Sequence, residues 1–164
     1  MSDTTTAPAA ADAATQAALE RLNTVIDRLI APDGCPWDST QTPESLTEYV
    51  IEECHELVDA IRSGKTADMV EELGDVAFLI LMIGKLMARA GGPSLADALE
   101  VEAAKMVRRH PHVFSDTTYE NQSEQLKDWD RIKREEKAAA DAEGPKGTYD
   151  SLPRGLPPLT KAYR

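Results

Sequence analysis

Two clusters of carboxylates are the residues of this chain whose types and spacing could do chemistry. Glu52, Glu53 and Glu56 recur at helical spacing, and on an ideal helix they fall within an arc of about 100°. Glu72 and Asp75 are three residues apart, so they also point to one side of a helix. If the two helices pack antiparallel, Glu53, Glu56, Glu72 and Asp75 can converge. Such an all-oxygen ligand set suits a hard divalent ion, Mg²⁺ or Mn²⁺, better than zinc.

The alternative is that both clusters are solvated helix faces, which is the common interpretation of acidic residues on a helix. The second cluster argues against it, because residues 76–84 that follow are uncharged and apolar around the whole helix. We therefore expect that helix to be central and buried, with Glu72 at the edge of the core. A carboxylate in that position destabilises the fold unless it is paired or binds a metal, so the metal site is favoured.

Composition limits the fold class and the partners. The chain has 164 residues, of which 41% are hydrophobic and 5% aromatic, and its abundant Ala and Leu are typical of one helical domain. The net charge of −11 opposes binding to a nucleic-acid backbone. Two cysteines form no disulfide framework, which indicates a reducing cytoplasm, and no apolar run is long enough for a membrane span. We expect a cytoplasmic protein with no nucleic-acid or membrane partner.

Apolar periodicity and helix breakers predict an all-α antiparallel bundle of about five helices. Within one domain of 15–140, the helices are predicted over about 15–30, 43–62, 66–89, 95–109 and 122–140. A disordered tail is expected over 1–14, and a Pro/Gly-rich tail or linker over 141–164. Thr42 and Ser94 are expected to cap the second and fourth helices. The short turn 63–65 should place the second and third helices side by side and antiparallel.

Several apolar positions are expected to lie in the core or in an interface. On the second helix Cys54 falls within an apolar stripe and should be buried. Gly74 and Gly84 inside the third helix each cost about 1 kcal/mol relative to alanine, and close approach of a neighbouring helix is the usual reason to keep them. We expect Gly84 to face another subunit, in a homodimer or larger oligomer. The buried stripe of the first helix should comprise Leu19, Leu22, Val25, Ile26 and Leu29.

Five motifs occur in a fixed order along the chain. They are Cys35-Pro36-Trp37-Asp38, Glu52-Glu53-x-x-Glu56, Glu72-Leu73-Gly74-Asp75, Lys105-x-x-Arg108-Arg109-His110-Pro111-His112-Val113-Phe114 and Trp129-x-x-Ile132-Lys133-x-Glu135-Glu136. Each is weak alone, but together, over roughly residues 17–164, they resemble the MazG nucleoside triphosphate pyrophosphohydrolases of the all-α superfamily. Residues 152–159 also resemble the connector that follows the N-terminal domain in tandem members.

The resemblance implies a dimer-forming helical fold that hydrolyses nucleoside triphosphates to monophosphate and pyrophosphate, as in house-cleaning of nucleotide pools. It also implies Mg²⁺ as the cofactor, for which Mn²⁺ can substitute. The catalytic candidates are Glu53 and Glu52, because Glu52 lies in the same arc and suits a second metal contact or the base that orients water. The matched metal positions are Glu53, Glu56, Glu72 and Asp75.

The phosphates of such a substrate also need side-chain cations. Lys105 and Arg109, four residues apart near the end of a helix, are the best placed. Alone they would be interpreted as cations that complement the helix C-terminus, and the family motif favours phosphate binding. Trp129 and Trp37 offer flat surfaces on which a base can stack, with Trp129 preferred, although either can be plain core. Lys133, in the same motif as Trp129, is a further substrate-binding candidate.

Three other functions remain open. A related all-α pyrophosphohydrolase specific for dUTP, dCTP or phosphoribosyl-ATP would share this kind of site. A di-iron carboxylate bundle is suggested by Glu52 and His55, but it needs a second Glu-x-x-His, and neither His110 nor His112 has a glutamate three residues before it. A catalytically degenerate bundle that dimerises or binds a partner is the non-enzymatic alternative, and the presence of all four metal carboxylates argues against it.

Overall fold

Residues 6–140 are described by the structure, a computed structural model, with side chains described from 12 to 138. This part of the chain is all-α, as predicted, and contains no strand. None of its helices is long and apolar enough to cross a membrane. The predicted tail over 141–164 lies outside the described residues. The elements are α1 (Thr6–Leu29), a 3₁₀ turn (Asp38–Thr40), α2 (Thr47–Ser63), α3 (Thr66–Arg89), α4 (Leu95–Arg109), α5 (Pro111–Phe114) and α6 (Gln122–Ala140).

Local signals set the end of α2 and the start of α4, both close to where the sequence predicts them. Gly64 ends α2 with a φ of 70°, in the left-handed region that glycine adopts without strain, and its N–H donates to Ile61 O at 3.2 Å. At the start of α4, Ser94 N–H donates to Asp97 Oδ2 at 2.7 Å and Asp97 N–H donates to Ser94 Oγ at 3.3 Å. This reciprocal pair is a capping box, so Ser94 caps α4 as expected.

Two helix starts differ from the prediction. α1 begins at Thr6, because the Ala-rich segment before residue 15 continues the helix, so the disordered tail expected over 1–14 is helical from residue 6 on. α2 begins at Thr47, although Thr42 Oγ1 accepts a hydrogen bond from Ser45 N–H at 3.2 Å one turn earlier. Leu46 lies between them and is fully buried, so its packing fixes the backbone there and overrides the local cap signal.

The chain divides into two compact units, one up to Glu100 and the other from Val101, and each is described by itself. In the first unit, α3 packs against α2 and α1. Leu22, Val50 and Phe78 are partly buried against the core of this unit. The buried core residues are Ile26, Leu46, Leu79, Leu81, Met82 and Leu86.

Part of the core expected from helical periodicity is exposed. On α1, Ile26 is fully buried, but Leu19 and Val25 are exposed. On α2, Cys54 is exposed and is not a core residue. On α3, Ile80 is 50% exposed, so this helix is not buried around its whole circumference. α3 packs against α1 and α2, and Ile80 lies on a part of its surface that these neighbours leave exposed.

The two glycines inside α3 have different surroundings. A Cβ added at Gly84 would lie 2.6 Å from Leu95 Cβ, so the absent side chain lets the start of α4 approach α3. The neighbour of Gly84 is therefore the same chain, and the expectation that Gly84 faces another subunit is wrong. A Cβ added at Gly74 would meet nothing within 4 Å, so no close approach within the described residues explains this glycine.

Candidate active site

The antiparallel helices α2 and α3 bring three of the four predicted metal ligands together. Glu53 and Glu56 lie on α2 and Glu72 on α3, and each offers a carboxylate oxygen within 4.8 Å of the others. Glu53 and Glu72 are half-buried, whereas Glu56 is exposed. Among the described residues this is the group that could hold a metal ion, and it contains no histidine. The group therefore lacks the imidazole ligand of the di-iron alternative.

Asp75 and Glu52 stand outside this group but contribute to its electrostatics. Both are exposed. Partial burial raises the pKa of Glu53, and the charges of Asp75, Glu56 and Glu52 raise it further. Partial burial also raises the pKa of Glu72, as do the neighbouring acidic side chains, Glu56 foremost. The fold thus holds several carboxylates close enough to disfavour each other's ionisation.

The basic residues of this region pair with other acids. Arg62 lies 3.7 Å from Asp59, and Lys65 lies 3.4 Å from Asp68. No ion pair is recorded for the three grouped carboxylates in the described part of the chain. The negative charge of these carboxylates is therefore available to bind a cation, and oxygen donors of this kind match a hard divalent ion.

An exposed aromatic pair adjoins the carboxylates in the same unit. Trp37, in the loop between α1 and α2, is 48% exposed, and its ring lies 5.6 Å from that of Tyr49 at an interplanar angle of 88°. Tyr49 precedes Glu53 by four residues on α2, so the two side chains are neighbours on one helix face. Tyr49 was not among the predicted site residues, although its spacing of four residues from Glu53 was the available signal.

In the second unit, two predicted cations gather at Trp129. Lys133 Nζ lies 4.5 Å and Arg109 Cζ 5.9 Å from the centroid of the Trp129 ring, within the range of cation–π interactions. Arg109 also contacts Glu136, with 2.7 Å between Arg109 Nη2 and Glu136 Oε2, and Arg108 binds the other oxygen of Glu136. Hydrogen bonds from Arg109, and then from Arg108, lower the pKa of Glu136. The structure thus joins Arg109, Trp129 and Lys133, and Glu136 is the acidic partner of Arg109.

Lys105 is not part of that cluster. Its ammonium group pairs with Glu102, three residues earlier on α4. This contact is local to one helix, so it fits a charge pair on the helix surface. Of the two predicted phosphate-binding cations, Arg109 therefore lies in a cluster with an aromatic ring, and Lys105 lies in a local ion pair.

The two histidines around Pro111 order the short helix α5. His110 Nδ1 lies 2.7 Å from Met106 O, the carbonyl to which it donates. His112 Nε2 lies 3.1 Å from Gln125 Nε2, and its Nδ1 is buried without a hydrogen-bond partner among the described residues. The rings of the two histidines are 5.8 Å apart. These contacts agree with a role in ordering the segment.

Comparisons with known proteins point to one family. Residues 41–114, which include the grouped carboxylates, match the family model of the MazG nucleotide pyrophosphohydrolase domain. The chain is 41% identical over 140 residues to "Uncharacterized protein YabN" of Bacillus subtilis (strain 168), covering 85% of this chain and 28% of that protein. It is 37% identical over 147 residues to the nucleoside triphosphate pyrophosphohydrolase of Escherichia coli (strain K12), covering 89% of this chain and 55% of that protein.

A solved structure is similar over almost its whole length. The crystal structure of a mazG-related protein from Thermotoga maritima superimposes with a TM-score of 0.60 at 29% identity, covering 70% of this chain and 98% of that one. By contrast, the chain spans 28% and 55% of the two curated relatives. The likeness therefore concerns one helical domain of those longer proteins.

Proposed function

Because the chain belongs to the MazG family, we propose that it hydrolyses nucleoside triphosphates to nucleoside monophosphates and pyrophosphate. The observation that carries the proposal is the group formed by Glu53, Glu56 and Glu72, whose oxygens converge within 4.8 Å. Phosphoryl chemistry needs charge neutralisation and an aligned water more than a covalent nucleophile. A group of carboxylates that attracts divalent cations suits this requirement.

The cofactor we propose is Mg²⁺, for which Mn²⁺ would substitute. Glu53, Glu56 and Glu72 would hold it, and Asp75, three residues after Glu72, would complete the set. Two observations support the fit: the donors are all carboxylate oxygens, and the pKa values of Glu53 and Glu72 are raised by partial burial and by neighbouring acids. When bound, such an ion offsets phosphate charge and makes a coordinated water more acidic.

Other residues of the chain would bind and orient the reactants. We propose that the exposed carboxylate of Glu52 accepts a proton from the water whose oxygen attacks the α-phosphorus, while the bond between that phosphorus and the leaving pyrophosphate breaks. Lys105 and Arg109 would bind phosphate oxygens as charge-assisted donors. For the nucleoside, the candidates are the flat ring of Trp37 in the first unit and, separately, the ring of Trp129 with Lys133 beside it in the second unit.

Product analysis tests this proposal directly. The protein is incubated with each common NTP and dNTP, with and without MgCl₂, and the products are separated by chromatography. Monophosphate and pyrophosphate should form only when the metal is present. If diphosphate and orthophosphate are the main products, the proposed reaction is wrong. Turnover of dUTP or dCTP alone would indicate a specific pyrophosphohydrolase. Metal binding without any turnover would indicate a catalytically degenerate bundle.

The exposed apolar side chains of α2 and α3 support a further proposal, that the protein is a homodimer. On each helix these side chains follow helical spacing, so they line one face. A row of exposed apolar side chains of this kind differs from the single exposed apolar residues that are normal on a monomer surface. A second copy of this chain would cover them. The residues are Ile51, Val58, Ile61, Val70, Leu73 and Ile80, which are 39–68% exposed.

Sedimentation velocity tests the dimer with a matched pair of variants. Leu73→Lys places a charge in the proposed interface and should give a monomer. Val113→Lys changes a residue of the second unit that is equally exposed, at 62% against 60% for Leu73, and should sediment like the wild type. A wild-type protein that sediments as a monomer at micromolar concentration would contradict the proposal.

A further inference from the structure

Arg89 connects both ends of one loop to the end of α3. Its Nη1 donates to Ile30 O at 3.0 Å, and its Nη2 lies 3.4 Å from Ser39 O and 3.4 Å from Gln41 O. Ile30 directly precedes residues 31–41, the Trp37 loop, and the other two carbonyls lie near its far end. One planar guanidinium, with its donors in a fixed fork, thus bridges three carbonyl groups that are separated along the chain.

The loop has its own hydrogen bonds, but these shape it without joining it to α3. Trp37 O accepts from Thr40 Oγ1 at 2.9 Å and from Gln41 Nε2 at 3.0 Å. Ser39 N–H donates to Cys35 O at 2.9 Å. Among the described residues, the side-chain hydrogen bonds between this loop and α3 all come from Arg89.

The loop determines where the Trp37 ring stands. That ring packs against Tyr49 in a T-shaped arrangement, one helical turn before Glu53, and almost half of its surface is exposed. The two rings are not stacked face to face, so the exposed part of the Trp37 ring is open to a planar group. A movement of the loop relative to α3 would change the position of the Trp37 ring relative to α2, which carries Glu53 and Glu56.

We propose that Arg89 is a positioning residue for substrate binding, which holds Trp37 beside the carboxylate group before the nucleotide arrives. This inference rests on the proposed function and names a residue that does not itself touch the substrate. If the loop is fixed in the free protein, binding does not have to order it, and affinity is higher for that reason. The chemical step is not affected, since none of the reacting groups is bound by Arg89.

Two substitutions separate the charge of Arg89 from its fork geometry. Arg89→Ala removes both, and Arg89→Lys keeps the charge but replaces the fork with a single ammonium group. We expect Arg89→Ala to raise KM by about tenfold and Arg89→Lys to raise it by less, with kcat nearly unchanged in both. Lys85→Met is the matched control, because Lys85 lies on the same helix and pairs with Asp27 at 2.7 Å away from the loop. It should leave KM unchanged.

Trp37 itself reports the position of the loop without any substrate. The chain has two tryptophans, so Trp129→Phe leaves Trp37 as the single emitter. In that background, Arg89→Ala and Arg89→Lys should lower the fluorescence anisotropy of Trp37 and increase its quenching by acrylamide, whereas Lys85→Met should change neither. Far-UV circular dichroism checks that each variant is folded. If Arg89→Ala does not fold, Arg89→Lys carries the test alone.

The outcomes distinguish this inference from the proposed function. Unchanged Trp37 anisotropy in the folded Arg89 variants, or a fall in kcat with constant KM, would overturn the positioning role. If the wild type binds ATP with Mg²⁺ in equilibrium dialysis but does not hydrolyse it, only the proposed activity fails, and the Arg89 variants should still bind ATP more weakly. If the wild type binds no nucleotide, both proposals fall.

Discussion

Four acidic residues with shifted pKa values, two in each compact unit, have opposite surroundings. In the first unit, Glu53 and Glu72 lie among other carboxylates, and their pKa values are raised by partial burial and by those neighbours. In the second unit, Glu136 accepts hydrogen bonds from two arginines, and Asp128 accepts one from Tyr119 at 2.7 Å and one from Arg131. These contacts lower the pKa values of Glu136 and Asp128.

The contrast suggests two roles for these carboxylates. Glu136 and Asp128 stabilise the fold through their partners, whereas Glu53 and Glu72 are available to bind a ligand. All residues of the buried apolar core among the described positions lie in the first unit, and their burial opposes the repulsion between its grouped carboxylates. The described part of the second unit has no fully buried apolar side chain, and its ion pairs contribute to its order instead. Perturbed carboxylates without a partner are the better candidates for function.

Neutralising the grouped carboxylates should have the largest effect. Glu53→Gln or Glu72→Gln should lower kcat/KM by on the order of 100-fold, because a metal ligand loses its charge while its volume is kept. The same variants should melt at a higher temperature than the wild type without metal, because repulsion is removed. Steady-state kinetics and thermal melts with and without Mg²⁺ measure both effects.

The control for these variants is Asp59→Asn, which removes a carboxylate from the same helix outside the group. It should leave kinetics and metal-dependent melting unchanged. Wild-type rates in both glutamine variants would mean that the metal site lies elsewhere, and the difference between the two units would lose its functional meaning.

The contact between Arg109 and Glu136 should give the next effect and tests whether the second unit is only structural. Glu136→Gln should lower the melting temperature, because two arginines lose their charged partner. If Arg109 also binds phosphate, Arg109→Ala should cost on the order of 2 kcal/mol in kcat/KM, beyond any effect of Glu136→Gln. Thermal melts and kinetics on both variants, with Asp130→Asn as the control on α6, separate the two roles. Equal kinetics in both variants would make Arg109 purely structural.

A smaller effect is expected at the two glycines of α3. Gly84→Ala should lower the free energy of unfolding by about 1–3 kcal/mol, because the new Cβ would lie 2.6 Å from Leu95 Cβ. Gly74→Ala should raise it by up to about 1 kcal/mol, because nothing lies within 4 Å and alanine favours the helix. Urea unfolding measures both. If Gly74→Ala instead weakens self-association in sedimentation, the proposed dimer covers that position.

Helix bounds were predictable where a local signal sets them. The left-handed Gly64 and the capping box of Ser94 lie within one turn of the helix ends that they determine. The start of α2 was missed because the packing of Leu46 is tertiary. A helical wheel shows that Cys54 and Ile80 are in apolar stripes, but it does not show which side of a helix has a neighbour, and both proved to be exposed.

The candidate site, like the helix bounds, was predictable only where local spacing determines it. Spacing alone placed Glu53 and Glu56 on one arc, and the short turn before α3 brought Glu72 opposite them. The contact between Arg109 and Glu136 joins residues 27 positions apart, and no periodicity reveals such a pair. Long-range contacts of this kind depend on how helices are placed in space, which spacing along one helix does not encode.

A fall in pH should change the stability of the two units in opposite directions. This is the smallest expected effect and the most direct test of the comparison. Because the pKa values of Glu53 and Glu72 lie above their usual 4.5, the folded chain binds more protons than the unfolded chain between that value and the raised ones. Acidification through this window stabilises α2 and α3 without metal. The pKa values of Asp128 and Glu136 lie below their usual 3.8 and 4.5, so their stabilisation is present at neutral pH and lost as pH falls through the lowered values.

Hydrogen exchange read by mass spectrometry resolves the two units in one experiment. After correction for intrinsic exchange rates, metal-free peptides of α2 and α3 should be better protected at mildly acidic than at neutral pH, while α6 peptides should lose protection only as the pH falls further, through the lowered pKa values of Asp128 and Glu136. Mg²⁺ should protect α2 and α3 at neutral pH and do so less at about pH 5, because protons compete for the same carboxylates. If α2, α3 and α6 respond to pH in the same direction, the raised and lowered pKa values do not govern stability. The carboxylates of the first unit would then be an ordinary solvated surface.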